Sequence, residues 1–236
     1  MCTLRLVCKQ LALLVSTSPN LCWQVGHPDQ LLAVCNSPFI DDTNITRLKF
    51  TLFNDCDWSI LADNVLVGIS SGLTELSCFG CQHLAIECFY RLVNLTTLNC
   101  CYCRQLTNGC FDNLVNLTTL SCKRCQQLTD GCFDNLVTLI TLNCRGCYQL
   151  TNGCFDKLMN LTTLNCSGCK QLSNGCFDKL VNLTKLDCIG CNQLTNGCFD
   201  NLVNLTELDY RGCFRLTNGC VDNLVKLTRV KPRSNL

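Results

Sequence analysis

Hydrophobic residues recur along this chain with a fixed spacing of 22 residues. Each unit places leucine and cysteine in the order LxxLxCxxCxxL, and near-identical copies begin at Leu92, Leu114, Leu136, Leu158, Leu180 and Leu202. Self-similarity at such a period is the signature of a solenoid, in which each repeat contacts only its neighbours. The pattern therefore predicts one elongated body of stacked coils.

The first part of each unit predicts a short β-strand. Leu98 and Cys100 alternate with Thr97 and Asn99, and a period of two indicates a strand with one buried face. Strands of successive coils would lie side by side and form a parallel sheet on the concave face. The fold class is thus predicted to be α/β, a solenoid with helices or turns on its convex side.

The second part of each unit predicts a turn followed by a short helix. Thr107 to Gly109 is typical of a turn, and we expect Thr107 or Asn108 to cap the short helix that CFDNL begins. Phe111, Leu114 and Val115 are expected to point into the core.

Divergence of the copies defines the predicted domains. Residues 70–223 hold seven 22-residue repeats, residues 224–236 a truncated repeat, and residues 45–69 a degenerate first coil. Together they form a predicted solenoid over 45–236. Apolar positions near helical spacing predict that residues 1–44 form a helical cap, which would shield the open end of the core.

Twenty of the 26 cysteines lie in three columns of the repeat. One column runs from Cys78 to Cys188, and Tyr210 replaces the cysteine at its next position. An aromatic replacement suits a packing position better than a disulfide. Free cysteine behaves as a small, buried hydrophobe, so buried thiols are predicted. Cys101 lies outside the columns, and we expect it to be exposed and to be labelled first.

The CxxC spacing in six units also suggests zinc binding. A structural zinc site needs four converging ligands, whereas a parallel stack would hold the sulfurs in separate rows. We therefore expect no metal and no cofactor, with zinc as the alternative. A column of aspartates from Asp112 to Asp222 is expected to lie near helix N-termini. A glutamine column from Gln82 to Gln193 is expected to form a ladder of hydrogen bonds between side chains, or else to line the binding edge.

Positions where the copies differ are the best candidates for a partner site. The exposed strand positions are neutral in the middle coils and charged from Lys185 onward, and the adjoining edge mixes cations with aromatic residues. Drift on a surface without a partner is the alternative. The predicted partner-binding residues are Lys123, Arg145, Tyr148, Lys185, Asp187, Glu207, Asp209, Arg211 and Phe214.

Composition excludes several function classes from the prediction. The net charge is +1 and the pI is about 7.2, so we expect no nucleic-acid partner and no membrane binding. The chain has two histidines and no Ser/His/Asp set, phosphate loop or acid pair, so an enzyme is not predicted. We expect a monomer.

The N-terminus and the glycosylation sequons indicate a reducing cytoplasm. The apolar run Leu11–Val15 is short for a signal peptide. Six N-x-T sequons occur, and five of them share one repeat position, where glycans on adjacent coils would crowd each other.

The repeat resembles the leucine-rich repeat family, most closely its cysteine-containing subtype, in which Cxx(L/I)T(D/N) follows the strand. Units of that subtype usually run near 26 residues, so 22 imply a shorter convex side. Part of the N-terminus resembles the C-terminal half of an F-box, through Leu4, Leu6, Val7, Cys8, Lys9, Leu14, Leu21 and Trp23. The whole arrangement is also similar to repeat proteins of giant amoebal viruses, which would imply the host cytoplasm.

These resemblances imply the substrate-binding part of an F-box-like ubiquitin-ligase adaptor. A Skp-type adaptor would then bind Leu6, Val7, Lys9 and Trp23, and a protein substrate would lie on the concave face. The family's front half has no room before Met1. The alternative is a stand-alone structural or interaction protein whose N-terminus is only a cap.

Overall fold

The computed structural model describes residues 22–25, 47–50, 72–81 and 89–232. These residues form a solenoid around one parallel sheet, whose strands follow the order of the sequence. The strands are β1 (Cys22–Val25), β2 (Arg47–Phe50), β3 (Glu75–Ser77), β4 (Thr97–Asn99), β5 (Thr119–Ser121), β6 (Thr141–Asn143), β7 (Thr163–Asn165), β8 (Lys185–Asp187), β9 (Glu207–Asp209) and β10 (Arg229–Lys231).

From β3 onward, the register between strands equals the sequence repeat. Leu98 of β4 pairs with Leu76 of β3 and with Leu120 of β5. Each residue therefore stacks on its own counterpart in the next coil, and the central leucine of every strand from β3 to β9 is buried. The predicted fold class, a parallel-sheet solenoid with a spacing of about 22 residues, is confirmed.

Strand β1 corrects the prediction for the N-terminal segment. Cys22–Val25 forms a strand that pairs in parallel with Arg47–Phe50, so this part of the predicted helical cap continues the sheet. Trp23 takes the register position of Leu48, which pairs with Leu76 of β3. Leu6, Val7 and Lys9 lie outside the described residues, as does most of residues 45–69.

The side opposite the sheet consists of tight turns. In the described part of the chain, single turns of 3₁₀-helix lie at Asn152–Phe155 and Asn218–Val221. Thr151 and Thr217 precede these turns without a side-chain capping bond, so the predicted caps are wrong. Among the described residues, no helix is long and apolar enough to cross a membrane.

The asparagines expected to cap a helix instead bridge neighbouring coils. The Asn174 amide donates to Thr195 Oγ1 at 2.7 Å, and its oxygen accepts from the Thr195 backbone N–H at 2.9 Å. Asp130 holds the same position two repeats earlier and accepts from the Thr151 backbone N–H at 2.7 Å. Equivalent positions stack every 22 residues, so a bond to the next coil wins over a local cap.

The core is a set of columns, each built from one residue type. Phenylalanine rings stack at 6.2–6.4 Å in four pairs of neighbouring coils, and all six are essentially inaccessible. Val115 was expected in the core, but 47% of its surface is exposed. It follows buried Leu114 at the turn, which leaves it outside, and the same holds for Val93, Val137, Met159, Val181 and Val203.

The described cysteine side chains are buried and free, as predicted. The thiol of the second cysteine in a CxxC pair donates to the backbone carbonyl of the first CxxC cysteine in the preceding coil. Examples are the bonds from Cys125 to Cys100 O at 3.1 Å and from Cys147 to Cys122 O at 3.2 Å. Burial raises the pKa of Cys100 and Cys122 well above the usual range of a thiol. The Cys100 and Cys122 thiols are therefore protonated packing groups.

Cys101 is buried, contrary to its prediction. Its exposed fraction is 6%, and its sulfur lies 3.0 Å from Ser121 Oγ. Burial raises the pKa of this thiol as well. The side chain is short enough to lie beneath its larger neighbours on the same edge.

The aspartate and glutamine columns also differ from their predictions. Asp156 and Asp222 follow the two 3₁₀ turns at their C-terminal ends, and so lie at the opposite end from the one expected. Gln149 and Gln171 donate to backbone carbonyls of the preceding coil, both at 2.9 Å. The glutamine contacts are thus side chain to backbone.

Replacing a buried ring in the middle of the stack should be strongly destabilising. Phe155→Ala removes a side chain that is fully buried between neighbouring coils, so we expect a loss of about 3–5 kcal/mol in the free energy of unfolding by urea. Met159→Ala in the same coil is the control. Its side chain is 58% exposed, and the expected loss is below about 0.5 kcal/mol.

The bridging asparagines should tolerate aspartate better than alanine. Asn174→Ala removes both the donor and the acceptor, and we expect it to lower the free energy of unfolding by about 1–2 kcal/mol. Asn174→Asp keeps the acceptor for Thr195, as Asp130 does naturally for Thr151, so its loss should be smaller. Equal losses for the two variants would contradict a bridging role.

Candidate functional site

The solvent-facing side of the sheet, here called the sheet face, carries two rows of side chains. Residues on either side of each buried leucine face solvent together because side chains alternate along a strand. From Thr97 to Asn165 both rows consist of threonine, serine and asparagine. From Lys185 to Lys231 every position in the rows is charged, as the sequence predicted.

The first of these rows forms a continuous chain of ion pairs across three strands. Glu207 of β9 lies 2.9 Å from Lys185 of β8 and 3.2 Å from Arg229 of β10. The hydrogen bond from Lys185 lowers the pKa of the Glu207 carboxyl. The carboxylate is therefore charged at neutral pH, and the cations are held on both sides of it.

The second row is organised around Asp209. Arg211 donates to both of its carboxylate oxygens, from Nε at 2.9 Å and from Nη2 at 2.8 Å, and Lys231 lies 3.5 Å away. Partial burial alone would raise the pKa of Asp209, but the hydrogen bonds from Arg211 outweigh it and the pKa is lowered. A two-pronged arginine contact of this kind is rigid as well as strong.

Asp187 links the charged part of the sheet face to the neutral part. It accepts a hydrogen bond from Asn165 Nδ2 at 3.1 Å and another from the Ser167 hydroxyl. Ser167 follows β7 two residues after Asn165, and it is only 3% exposed. The bond to Asp187 draws its hydroxyl inward.

These side chains surround a shallow groove across β7 to β10. Its floor is the strand backbone, since the central leucines point into the core, and its walls are the paired charges. The lining residues are Thr163, Leu164, Asn165, Lys185, Leu186, Asp187, Glu207, Leu208, Asp209, Arg229 and Lys231.

A second cluster lies on the strand-exit edge, which we define as the six residues after each strand in the coils from Cys78 to Arg215. The Phe79 and Tyr102 rings pack with centroids 5.1 Å apart. Lys123 Nζ lies 5.3 Å from the Tyr102 centroid. Three successive coils thus contribute one ring, one ring and one cation to a single contact series.

The coil of Lys123 and the coil after it extend this cluster. Arg124 Nη1 donates to the Tyr148 hydroxyl at 2.7 Å, and the guanidinium lies 5.7 Å from the Tyr148 centroid. Gly146 lies beneath the Arg124 side chain, and a Cβ there would come within 3.0 Å of Arg124 Cδ. Glycine at position 146 is therefore what lets the arginine reach the tyrosine.

Tyr102 and Arg124 occupy positions that are glycine in the other described coils, and they share the left-handed backbone conformation of those glycines. The five other described residues of this column are glycines with φ between 69° and 74°, whereas Tyr102 has φ 64° and Arg124 φ 63°. The N–H of each column member from Gly80 to Gly190 donates to the next coil, which explains the shared conformation. A side chain in this left-handed region costs roughly 1–2 kcal/mol.

The structure divides the predicted partner-binding residues between two surfaces. Lys185, Asp187, Glu207 and Asp209 lie together on the sheet face. Lys123, Arg145 and Tyr148 lie on the strand-exit edge, as does Phe214, which is 55% exposed. Arg211 connects the two surfaces through its pair with Asp209.

The sequence prediction missed Arg124, which the copies themselves could have revealed. Aligning the coils places Arg124 and Tyr102 in a column that is otherwise glycine among the described coils. A bulky residue at a position with a left-handed backbone is strained, and such strain is typical of functional sites. No three His, Cys, Asp or Glu side chains in the described ranges come together to hold a metal ion.

Comparison with known proteins identifies the repeat. The family model for the BspA type leucine rich repeat region matches residues 82–206 and 137–236, with six copies. A search of curated protein sequences found no match.

Solved structures with the same fold include three proteins of low sequence identity. A chain of the TLR13–ssRNA13 complex is 21% identical, with a TM-score of 0.66 over 95% of this chain and 33% of that chain. An internalin, InlF from Listeria monocytogenes, is 18% identical with a TM-score of 0.63, over 90% and 66%. A chain of the yeast Rad7–Elc1 complex is 18% identical with a TM-score of 0.56, over 85% and 70%.

At these identities the solved structures show the fold alone. This chain spans one third of the TLR13-complex chain and two thirds of the internalin. The family model, in contrast, covers more than half of the present chain and agrees with its stacked parallel strands. The chain therefore belongs to the leucine-rich repeat proteins of the BspA type.

Proposed function

We propose that the solenoid is a protein-binding module whose partner lies on the charged part of the sheet face. The observation that carries this proposal is the ion-pair chain Lys185–Glu207–Arg229 along the shallow groove of the sheet face. Among the near-identical coils, the sheet face becomes charged only here, and the charges are already held in place. Ordered, partly paired charges favour orientation and specificity toward a complementary surface.

The fold supports a binding role over catalysis. Leucine-rich repeat solenoids typically present extended surfaces for partners, and the charges of the groove pair with each other. A neutral stretch of threonine and asparagine continues the same face toward the N-terminus, where it offers further hydrogen-bonding contacts.

The finer proposal is that this module binds the substrate of an F-box-like ubiquitin-ligase adaptor. It rests on the resemblance carried by Leu6, Val7, Lys9 and Trp23. The Rad7 structure, which shares the fold, was solved in complex with Elc1, and this is compatible with a repeat protein that also binds a second protein. Trp23 is in a strand of the sheet, in register with Leu48. Binding of an adaptor at Trp23 would therefore compete with its role in this strand.

Reversing the ion-pair chain while keeping its pairs tests the sheet-face proposal. The variant Lys185→Glu/Glu207→Lys/Arg229→Glu retains alternating charges but inverts their order. We expect at least about tenfold weaker capture of the partner that the wild-type chain isolates from host lysate, measured by quantitative mass spectrometry.

The matched control is Lys157→Glu/Asp178→Lys/Lys179→Glu, which inverts the same number of charges at exposed positions away from the sheet. It should capture the partner normally. Both variants should keep the wild-type midpoint of urea unfolding. Undiminished capture by the first variant would refute the sheet-face assignment.

The adaptor proposal is tested separately, by co-expression of the full chain with a Skp-type adaptor. We expect the two proteins to co-purify, and Leu6→Asp to abolish the complex because it places a charge in an apolar contact. The sheet-face variant should still bind the adaptor. Capture of a sheet-face partner without any adaptor binding would favour the stand-alone interaction protein.

A further inference from the structure

The strand-exit edge carries charge of only one sign. Among its described residues there is no aspartate or glutamate. Its cations come from five of the coils, and they are Arg104, Lys123, Arg124, Arg145, Lys170, Arg211 and Arg215. The chain as a whole has nearly equal numbers of acids and bases, so this edge is a local positive surface on an otherwise balanced molecule.

The cations of the middle coils are available to a ligand. Arg211 is paired with Asp209, whereas Lys123, Arg124 and Arg145 form no ion pair with any described residue. Arg145 is exposed, and Lys123 and Arg124 are half-buried. The latter two are held over tyrosine rings, so they are positioned before a ligand arrives and lose less freedom on binding.

Two features show that this arrangement is built rather than accidental. Tyr102 and Arg124 replace glycine in a left-handed column, and such strain is typical of binding sites. Gly146 keeps the space that Arg124 crosses on its way to Tyr148. Both features fall in consecutive coils, at the centre of the positive surface.

The contacts within the cluster indicate which anion it fits. A single-stranded nucleic acid would need open aromatic faces on which bases stack. Here Lys123 covers Tyr102, which also packs against Phe79, and Arg124 covers Tyr148. Apart from Phe79, which is exposed at one end, the cluster presents mainly cations, and carboxylates match guanidinium groups in a two-pronged geometry.

We propose that the strand-exit edge from Phe79 to Tyr148 binds an acidic peptide segment that runs along the stack of coils. The carboxylates contact Lys123 and Arg124 in one coil and Arg145 in the next, and the strands of these two coils lie about 4.8 Å apart. Phe79, which is 42% exposed, provides an apolar contact at one end. This inference goes beyond the proposed function, because it assigns a ligand of different chemistry to a second surface, separate from the sheet face.

Fluorescence anisotropy with a labelled peptide of about ten alternating glutamates and serines tests the proposal. The wild-type chain should bind this peptide, with affinity that falls as salt rises, and should not bind the matching glutamine–serine peptide. Lys123→Gln/Arg124→Gly should weaken binding at least about tenfold. This variant restores the glycine of the other coils, so its unfolding midpoint should not fall.

The control Lys157→Gln/Lys179→Gln removes two positive charges from exposed positions elsewhere and should leave the affinity unchanged. The sheet-face triple variant should also bind the peptide normally, so failure of one surface is distinguishable from failure of the other. Equal binding by wild type and the Lys123/Arg124 variant would overturn the proposal. Tighter binding of an oligouridine RNA with the same net charge would also overturn it.

Discussion

The 22-residue register between neighbouring strands is the constraint on which this structure depends. Backbone hydrogen bonds join each strand to the next and continue into the turn that follows, as between the Tyr102 N–H and Lys123 O at 2.7 Å. Every side chain consequently has its own counterpart as a neighbour above and below. In the core, a residue type is therefore suitable at a given position only if its side chain packs well against identical side chains in the neighbouring coils.

This requirement explains the composition of the interior. Leucine and phenylalanine stack on themselves without leaving gaps, and the rings do so at close to 6.3 Å. Cysteine adds a small volume and a weak donor, and the thiol of Cys147 uses it on the carbonyl of Cys122 in the preceding coil. Asparagine meets the same requirement at the surface, since Asn174 both donates and accepts across the gap between coils.

A stack of near-identical coils can distinguish one surface from another only where the copies differ. At the C-terminal end the difference is charge, arranged so that Glu207 and Asp209 each join cations from two coils or turns. On the strand-exit edge the difference is in side chains, since Tyr102 and Arg124 replace glycine at positions with a left-handed backbone. The first surface is internally balanced and the second is not, and they suit partners of different chemistry.

The sequence by itself determined the period, the parallel strands, the buried leucines and thiols, and the region where charge collects, because these follow from which residues recur every 22 positions. Only the tertiary structure decided the rest. Val115 lies outside and Cys101 inside because the turns, which no periodicity describes, set those directions. Asn174 bridges coils because Thr195 of the next coil presents both a hydroxyl acceptor and a backbone N–H donor to its amide. The hydrogen bond from Arg124 to the Tyr148 hydroxyl joins two coils and passes over Gly146, which has no side chain to block it. This contact depends on how the coils stack and not on the pattern within one repeat.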